Sequence, residues 1–559
     1  MGSIFFELTV IICVSALFAT IFRFLKQPLI LAYILTGILI GPLGLFHLGN
    51  GEVISAMGEL GITLLLFILG LELRFSELKE VGLVALVVGF VQVVYTFVLG
   101  YLFAQLLGFH EITSVYIGLA LMFSSTIIVV KLLSDKKNMN SLYGKISIGV
   151  LLFQDFVAIA LLMILSGFQR GESAGFFSLY PFLFILIKGS LLFGFVFFLS
   201  KRILPRIIDS IAKSQEALFL VSLAFAFGVA GLVSSPLIGF SVEIGGLLAG
   251  VALANAVASF QIAAKVRALR DFFITIFFVF LGTQMSFSNI FLILPSVIVL
   301  SMVVIFYKPL IVMASLGLFG FRKRTSFFTA SSLAQISEFS FILMFLGYKL
   351  GHVSKEAVSV ITMVGVLSFI VSNYLMLYDT QVYKHIHPFF DLFERKTPQK
   401  ENIGNEEEFK GHVVLIGAHR VGESILDSLE DLDMQVVVID FNPDIIRRLK
   451  DKKNIHSLFG DISDLDILEK ARLHDARLVI STVPDIEDNL LLLKSLKNRR
   501  TQIVVLSETV EDAKELYKFG ADYVLLPHLL GGRHIAKILK DEELNVFAKL
   551  RERDQKNLF

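Results

Sequence analysis

The sequence has very little cysteine, since Cys13 is the only one among 559 residues. A single cysteine excludes an intrachain disulfide and a cysteine-based metal cluster. Charged residues are also scarce, at 18%, and the net charge of +1 gives no indication of a nucleic-acid partner. Because the first residues lack a basic segment and a small-residue cleavage site, we expect a retained first helix rather than a signal peptide.

Apolar residues, by contrast, make up 55% of the chain, and the mean hydropathy is +0.76. This composition is typical of an integral membrane protein and not of a soluble domain. About thirteen apolar runs of membrane-spanning length precede residue 380. Their centres lie near Ala16, Ile34, Leu65, Val88, Leu119, Gln154, Leu191, Phe225, Leu248, Phe277, Val303, Phe339 and Met363.

The charges in the loops predict how these spans are oriented. Loops of one set carry 18 lysine and arginine residues, whereas the alternate loops carry only three, Arg170, Lys349 and Lys355. Strongly basic loops stay in the cytoplasm. We therefore expect the N-terminus outside and everything after Tyr378 in the cytoplasm, which requires an odd number of spans.

One carboxylate, Asp155, lies at the centre of a long apolar run and follows Gln154. An ionisable group at this depth is costly and usually functional, and a structural hydrogen bond between helices is the alternative interpretation. The fifth span contains three consecutive hydroxyl residues, Ser124, Ser125 and Thr126. Their oxygens are suited either to coordinating a monovalent cation with Asp155 or to tightening helix packing.

Two further charges interrupt apolar spans, Lys308 before Pro309 in the eleventh span and Glu338 in the twelfth. Lys308 either contributes to ion transport or reaches the membrane surface or a helix C-terminal carbonyl. Glu338 is either an ion-site carboxylate or a strut between helices. Together with Asp155 these charges favour an ion-translocating site.

A carboxylate that binds a proton cannot bind a bare cation at the same time. If only the loaded site crosses between inward-open and outward-open states, this competition enforces exchange, because an empty anionic site would carry uncompensated charge through a low-dielectric barrier. We therefore expect one cation per proton at Asp155 and no net movement of charge. Deprotonation of Lys308 is the alternative source of a second proton.

After a transmembrane part (1–380) and a polar linker (381–409), the pattern changes. Short apolar strands alternate with amphipathic helices over residues 410–540, before a tail at 541–559. This rhythm predicts a Rossmann-like α/β domain with a doubly wound parallel sheet. The expected strands are 412–416, 435–439, 455–458, 478–481, 503–506 and 523–525.

The first strand of this domain runs into HVVLIGAHRVGESIL. Gly417 and Gly422 stand at the first and third glycine positions of a dinucleotide-binding fingerprint, but the second position is His419. The middle glycine normally lets the backbone approach a pyrophosphate, and an imidazole there would crowd it.

Three further residues complete the expected nucleotide site. Asp440 ends the second strand 23 residues after Gly417 and is suited to hydrogen-bonding ribose hydroxyls. Gly460 and Asp461 follow the third strand, at a usual position for adenosine contacts. The alternative interpretation is a site that preserves the fold and binds nothing.

Seven tracts of the membrane part resemble segments of monovalent cation:proton antiporters. They are LKQPLILAYILTGILIGP, GELGITLLLFILGLEL, SSTIIVVKLL, LLFQDFVAIALL, GFSVEIGGLLAGVALA, FFVFLGTQMS and AQISEFSFIL. The Gln154 and Asp155 pair resembles the Kef-type potassium/proton branch, in which neutral Gln154 stands where electrogenic relatives carry a second aspartate. One departure from the family pattern is Glu243, where relatives often have a small or apolar residue.

The resemblance implies an all-α polytopic membrane domain of about thirteen helices. It also implies inverted five-helix repeats over spans 2 to 6 and 9 to 13, and crossed, partly unwound helices in spans 5 and 12. Further implications are a homodimer, a bacterial inner-membrane location and exchange of potassium, or alternatively sodium, for protons.

Residues 410–540, including YVLLPHLLGGRHIA, resemble the regulatory domain of potassium transport systems. This resemblance implies an adenine nucleotide, with Arg420 near a phosphate and Asp440 at a ribose. His419 favours AMP or a loosely held NAD(H). We expect regulation and not catalysis, with no cofactor required for transport itself.

Two other classes are alternatives. A nucleotide-gated potassium channel or efflux system would share the regulatory domain, but no TVGYG-like selectivity filter occurs in the sequence. A membrane oxidoreductase that uses NAD would require a redox centre, which the single cysteine and the few membrane histidines do not offer.

Overall fold

A computed structural model of the chain forms two compact units that divide near Arg395. The structure describes residues 4–42, 51–72, 82–136, 138–139, 141–166, 187–188, 192, 194, 196, 198, 215–235, 238–254, 256, 258–285, 290–321, 323–386, 390, 410–418, 421–432, 434–440, 443–449, 452, 454–460, 462, 465–496 and 501–541.

The first unit is helical. Its helices before the middle of the chain are α1 (Ile4–Phe24), α2 (Leu29–Ile40), α3 (Gly51–Glu72), α4 (Gly82–Leu106), α5 (Glu111–Met122), α6 (Thr126–Asp135) and α7 (Leu142–Ser166). Those that follow are α8 (Gln215–Val233), α9 (Val242–Leu253), α10 (Ser259–Thr283), α11 (Ile290–Met302), α12 (Lys308–Leu318), α13 (Lys323–Ser332), α14 (Glu338–Lys349), α15 (Lys355–Leu377) and α16 (Asp379–Ile386).

By length and composition, eight helical stretches within the described residues could cross a membrane, and two shorter apolar helices accompany them. Leu191, one of the thirteen predicted span centres, lies outside the described residues. The other twelve all lie in helices. The predicted helical membrane domain is therefore confirmed.

These helices pack as two groups. The first helix group comprises α1, α2, α3, α8, α9 and α10, and the second comprises α4, α5, α6 and α11 to α15. Close approach in the first group depends on glycine, because a Cβ built on Gly250 of α9 would lie 2.9 Å from the Cα of Gly70 of α3.

Two membrane helices are broken, as predicted for spans 5 and 12. The first break separates α5 from α6, and Ser125 caps α6 by accepting a hydrogen bond from Ile128 N. The second separates α13 from α14, where Ser337 forms a capping box with Ser340. Serine hydroxyls compete with the helical backbone for its hydrogen bonds, and this explains why the chain stops and restarts at these residues.

In the eleventh span, the charge of Lys308 interrupts the apolar run, but Lys308 and Pro309 do not break the helix. A π-helical turn (Val303–Tyr307) joins α11 to α12, and the amide of Lys308 donates to Val303 O. Proline lacks an N–H donor, and the wider turn before it takes up the change of register without a break.

The second unit contains a parallel sheet of β1 (Val413–Ile416), β2 (Val436–Asp440), β3 (Ile455–Phe459), β4 (Leu478–Ser481), β5 (Gln502–Leu506) and β6 (Tyr523–Leu525). Its order, β3-β2-β1-β4-β5-β6, is that of the doubly wound dinucleotide-binding fold. The predicted Rossmann-like domain is confirmed, and each predicted strand agrees to within one residue at either end.

Helices of the second unit connect these strands and cover two apolar cores. They are α17 (Val421–Asp431), α18 (Pro443–Leu449), α19 (Leu465–Lys470), α20 (Ile486–Ser495), α21 (Val510–Lys518) and α22 (Pro527–Asp541).

Candidate functional site

Asp155 lies at the middle of α7 and is 7% exposed. The hydroxyl of Thr126, the first residue of α6, donates a 2.9 Å hydrogen bond to Asp155 Oδ2. An ionised carboxylate accepts about four hydrogen bonds, so its capacity is far from filled by this one donor. The arrangement leaves Asp155 able to bind a proton or a cation.

Gln154 lies beside Asp155 but faces a different set of groups. Its Oε1 accepts a 2.8 Å hydrogen bond from Ser124 N, and its Nε2 donates to Gln92 Oε1. Gln92 in turn donates from Nε2 to Met122 O at 3.0 Å. Both ends of the Gln154 amide are therefore engaged at the break between α5 and α6.

Lys308 is fully buried, and its ammonium donates to three main-chain carbonyls. The distances from Nζ are 2.7 Å to Phe123 O, 2.8 Å to Gln335 O and 3.4 Å to Leu121 O. Leu121 and Phe123 lie at the carbonyl end of α5, where carbonyls lack helical partners and attract a cation, and Gln335 lies in the break between α13 and α14. The sequence suggests several roles for Lys308. This geometry matches the one in which Lys308 binds helix C-terminal carbonyls.

Glu338 is the first residue of α14 and is 6% exposed. Its Oε1 accepts a 3.0 Å hydrogen bond from Ser125 Oγ, and its Oε2 accepts one of 3.2 Å from Ser337 Oγ. A carboxylate is favoured at a helix N-terminus by the partial positive charge there. Ser124 donates from Oγ to Leu333 O at 3.1 Å, so two bonds from the serine pair tie the breaks together.

The structure thus brings together all seven residues predicted for the ion site. It also adds Gln92, which sequence reasoning missed, although a glutamine within the apolar span α4 was a visible signal. The negative and positive side chains lie near opposite ends of the half-helices. Glu338 begins α14, and Asp155 accepts a hydrogen bond from Thr126, which begins α6. The ammonium of Lys308, by contrast, lies at the carbonyl end of α5.

Glu243, singled out as a departure from the family pattern, lies in the first turn of α9 and is 6% exposed. Lys349, at the end of α14, lies 3.7 Å from Glu243 Oε1 and 3.1 Å from Glu59 Oε1 of α3. This network connects the second helix group to the first.

In the second unit, the glycine-rich turn follows β1 as predicted. Gly417 has φ +84°, a conformation that favours glycine, and a Cβ on Gly422 would overlap Gly417 O. Asp440 Oδ2 accepts a 2.7 Å hydrogen bond from Ala418 N, and Gly460 N donates to Asp440 O at 3.1 Å. These residues meet at the carboxyl ends of β1, β2 and β3, where such sheets bind nucleotides.

Three of the predicted nucleotide residues, His419, Arg420 and Asp461, lie outside the described residues. The contacts that the sequence predicts for them therefore stay predictions.

Paired broken helices around a buried carboxylate, joined to a Rossmann-like domain, define the class of this protein as an ion-coupled membrane transporter with an attached nucleotide-binding fold. Residues 11–376 match the family described as sodium/hydrogen exchanger, transmembrane, and residues 413–527 match the TrkA-N domain. The chain belongs to the sodium/hydrogen exchanger family.

Among similar proteins, the putative cation/proton antiporter YbaL of Escherichia coli is 28% identical over 92% of each chain. The glutathione-regulated potassium-efflux system protein KefC of Klebsiella pneumoniae is 25% identical over 86% of this chain and 75% of its own. K(+) efflux antiporter 5 of Arabidopsis thaliana is 33% identical over 60% of each. The predicted Kef-type resemblance is confirmed.

A solved structure has a similar fold. The sodium proton antiporter MjNhaP1 of Methanocaldococcus jannaschii aligns with 66% of this chain and 95% of its own, at 20% identity and a TM-score of 0.50. This likeness concerns the fold; the family match and the antiporter relatives make the protein a multi-pass membrane cation/proton antiporter with a soluble TrkA-N domain.

Proposed function

We propose that the protein exchanges one potassium ion for one proton at Asp155 without moving net charge. The observation that carries this proposal is the balance of charges around the two breaks. Lys308 uses all three ammonium hydrogens on carbonyls, and Glu338 accepts two hydroxyl donors as a carboxylate does. The charges of Lys308 and Glu338 cancel, so the ionised carboxylate of Asp155 gives the site a net charge of minus one.

One proton or one monovalent cation neutralises this remaining charge. Moving the loaded site through the membrane then costs far less than moving the empty site, because an uncompensated charge is expensive in low dielectric. Lys308 has no part in this cycle, since its hydrogens hold the helix ends. Thr126 keeps one carboxylate oxygen of Asp155 oriented, while the remaining acceptor capacity takes the ion.

Potassium is favoured over sodium by the names of two of the similar proteins, which describe potassium efflux. Further parts of the proposal come from the sequence: a homodimer in the bacterial inner membrane, inverted repeats, the N-terminus outside, the TrkA-N domain in the cytoplasm and no enzymatic activity. The channel alternative lacks a filter sequence, and the exchanger family favours antiport.

The test is transport in proteoliposomes under an imposed pH gradient, with potassium and sodium in separate arms. We expect the wild type to exchange potassium for protons at a rate that an imposed membrane potential does not change. Asp155→Asn abolishes exchange, whereas the matched control Asp135→Asn, on the exposed surface of α6, leaves it intact. Full exchange by a folded Asp155→Asn variant would remove Asp155 as the site.

Binding of AMP or NAD(H) to the second unit is a separate part of the proposal. It is supported by the parallel sheet, the turn at Gly417 and the carboxylate of Asp440 at the end of β2. We expect nucleotide to raise the melting temperature of the wild-type chain and not that of Asp440→Ala. The exposed control Asp427→Ala keeps the response, and a wild type that responds to neither nucleotide contradicts this part.

A further inference from the structure

Gln92 is a fully buried glutamine in α4 that hydrogen-bonds around the break between α5 and α6. Its Nε2 donates to Met122 O at 3.0 Å and to Thr96 Oγ1 at 3.1 Å, and its Oε1 accepts from Gln154 Nε2. The Gln154 amide then accepts from Ser124 N. Two side-chain amides thus form a bridge that starts and ends at the same break.

The orientation of both amides is fixed by the backbone. Ser124 N is a donor, so Gln154 must present its oxygen there and its nitrogen to Gln92. Met122 O is an acceptor, so Gln92 must present its nitrogen there and its oxygen to Gln154. Each amide has only one orientation that satisfies both neighbours, and the two orientations agree.

The bridge satisfies groups that the break itself exposes. The carbonyl of Met122 and the amide of Ser124 have no helical partner where α5 stops, and burial without a partner would be costly for each. If the bridge were lost, the break would have to close, shift or admit water. Thr126 lies two residues beyond Ser124 and Asp155 is next to Gln154, so any such shift moves both members of the Thr126–Asp155 hydrogen bond.

We propose that Gln92 is a positioning residue of the exchange site, which acts through Gln154 and the break to hold Thr126 against Asp155. Gln154 accordingly serves as a structural amide, because both of its ends hold the bridge. A carboxylate at position 154 accepts from Ser124 N but cannot donate to Gln92. The need for a donor accounts for glutamine at this position independently of its neutral charge.

The test uses the full chain in proteoliposomes and separates apparent potassium affinity from maximal rate. In Gln92→Leu the bridge is broken, and we expect the apparent KM for potassium to rise about tenfold, as for loss of a buried polar partner. Gln105→Leu, the same change at an exposed position of α4, leaves KM at the wild-type value. Gln92→Glu keeps the side-chain shape but as a carboxylate cannot donate to Met122, so it shifts KM in the same direction even if Gln92→Leu fails to fold.

A double-mutant cycle distinguishes positioning from general packing. Thr126→Ala removes the hydrogen bond that Gln92 is inferred to maintain, so the combined Gln92→Leu and Thr126→Ala variant has a KM no higher than that of the more affected single variant. Additive effects of the two substitutions, or a wild-type KM in both Gln92 variants, would overturn the inference.

This inference rests on Asp155 as the exchange site, and Asp155→Asn in the same assay separates the two claims. If Asp155→Asn exchanges normally, the proposed function fails. If it is inactive while the Gln92 variants match the wild type, only the role of Gln92 fails.

Discussion

The hydroxyl of Ser125 donates a 3.0 Å hydrogen bond to Glu338 Oε1, across 213 residues of chain. Ser125 caps α6 and Glu338 begins α14, so one bond joins the starting points of the two half-helices. With Glu338 ionised the bond is charge-assisted, and charge-assisted bonds contribute more than neutral ones. A hydrogen bond therefore links the breaks of the two membrane helices directly.

Removing this hydroxyl tests the connection. Ser125→Ala leaves Glu338 Oε1 without that donor and α6 without its cap, so we expect the free energy of unfolding to fall by about 1–3 kcal/mol. Thermal unfolding in detergent measures the loss. Ser134→Ala, at an exposed position of the same helix, serves as the control, and equal melting temperatures for the two variants would contradict the connection.

Lys308 is expected to stabilise the membrane unit through its three carbonyl contacts. Lys308→Met removes every donor and leaves buried carbonyls unpaired, at about 1–3 kcal/mol for each. Lys308→Gln retains two donors and should lose less. Lys131→Met, at an exposed position of α6, is the matched control for melting in detergent.

The same variants address whether Lys308 supplies a proton to the cycle. We expect the ratio of protons to cations to be unchanged in Lys308→Gln wherever transport is measurable, because its hydrogens hold helix ends. A changed ratio would show that Lys308 takes part in proton exchange.

Lys349 joins the two helix groups through Glu59 and Glu243. Since Lys349 is 37% exposed, its pair with Glu59 is worth about 1 kcal/mol or less, but Glu243 is buried and depends on it for compensation. We expect Lys349→Gln to lower the melting temperature and added Glu243→Gln to recover most of the loss. The control Lys355→Gln is neutral, and no recovery in the double variant would show that the charge on Glu243 is not the cause.

Two glycines of the second unit should respond oppositely to alanine. In Gly422→Ala the new methyl group meets Gly417 O, which is backbone and cannot move aside easily, so we expect a loss of about 1–3 kcal/mol. Gly532, in the exposed helix α22, has open space around it, and Gly532→Ala should stabilise that helix by about 0.5–1 kcal/mol. Calorimetry of the full chain follows the transition of this unit, and a neutral Gly422→Ala would contradict the packing argument.

Protonation of His412 makes the stability of the second unit depend on pH. Burial lowers the pKa of His412 below its usual 6.5, and a hydrogen bond with Ala471 O only partly opposes this effect. As the pH falls below 6.5, the unfolded state therefore binds a proton before the folded state does, and stability is lost until the lowered pKa is passed.

We expect the His412→Gln variant to lack this loss while behaving like the wild type above pH 7, apart from the altered hydrogen bond. His474→Gln, an exposed control in the same unit, keeps the acid sensitivity. Thermal melting between pH 7 and pH 5 measures the difference, and parallel curves for wild type and His412→Gln would remove His412 as the cause.

The sequence by itself determined the features that depend on local pattern. Apolar runs of sufficient length must form helices in a membrane, because every backbone amide needs a partner there, and so the predicted span centres lie in helices wherever the structure describes them. Alternating strands and helices likewise predicted the order of elements in the second unit. Asp155 was visible because a carboxylate within an apolar run is rare.

Only the tertiary structure decided which polar groups meet. Lys308 binds carbonyls of Phe123 and Gln335, and Gln154 binds Gln92 and Ser124, through contacts between residues far apart in the chain. A buried polar group must find a partner, but its residue type does not specify which one. The positions at which the helices cross determine which polar groups become partners. These positions depend on how the whole unit packs.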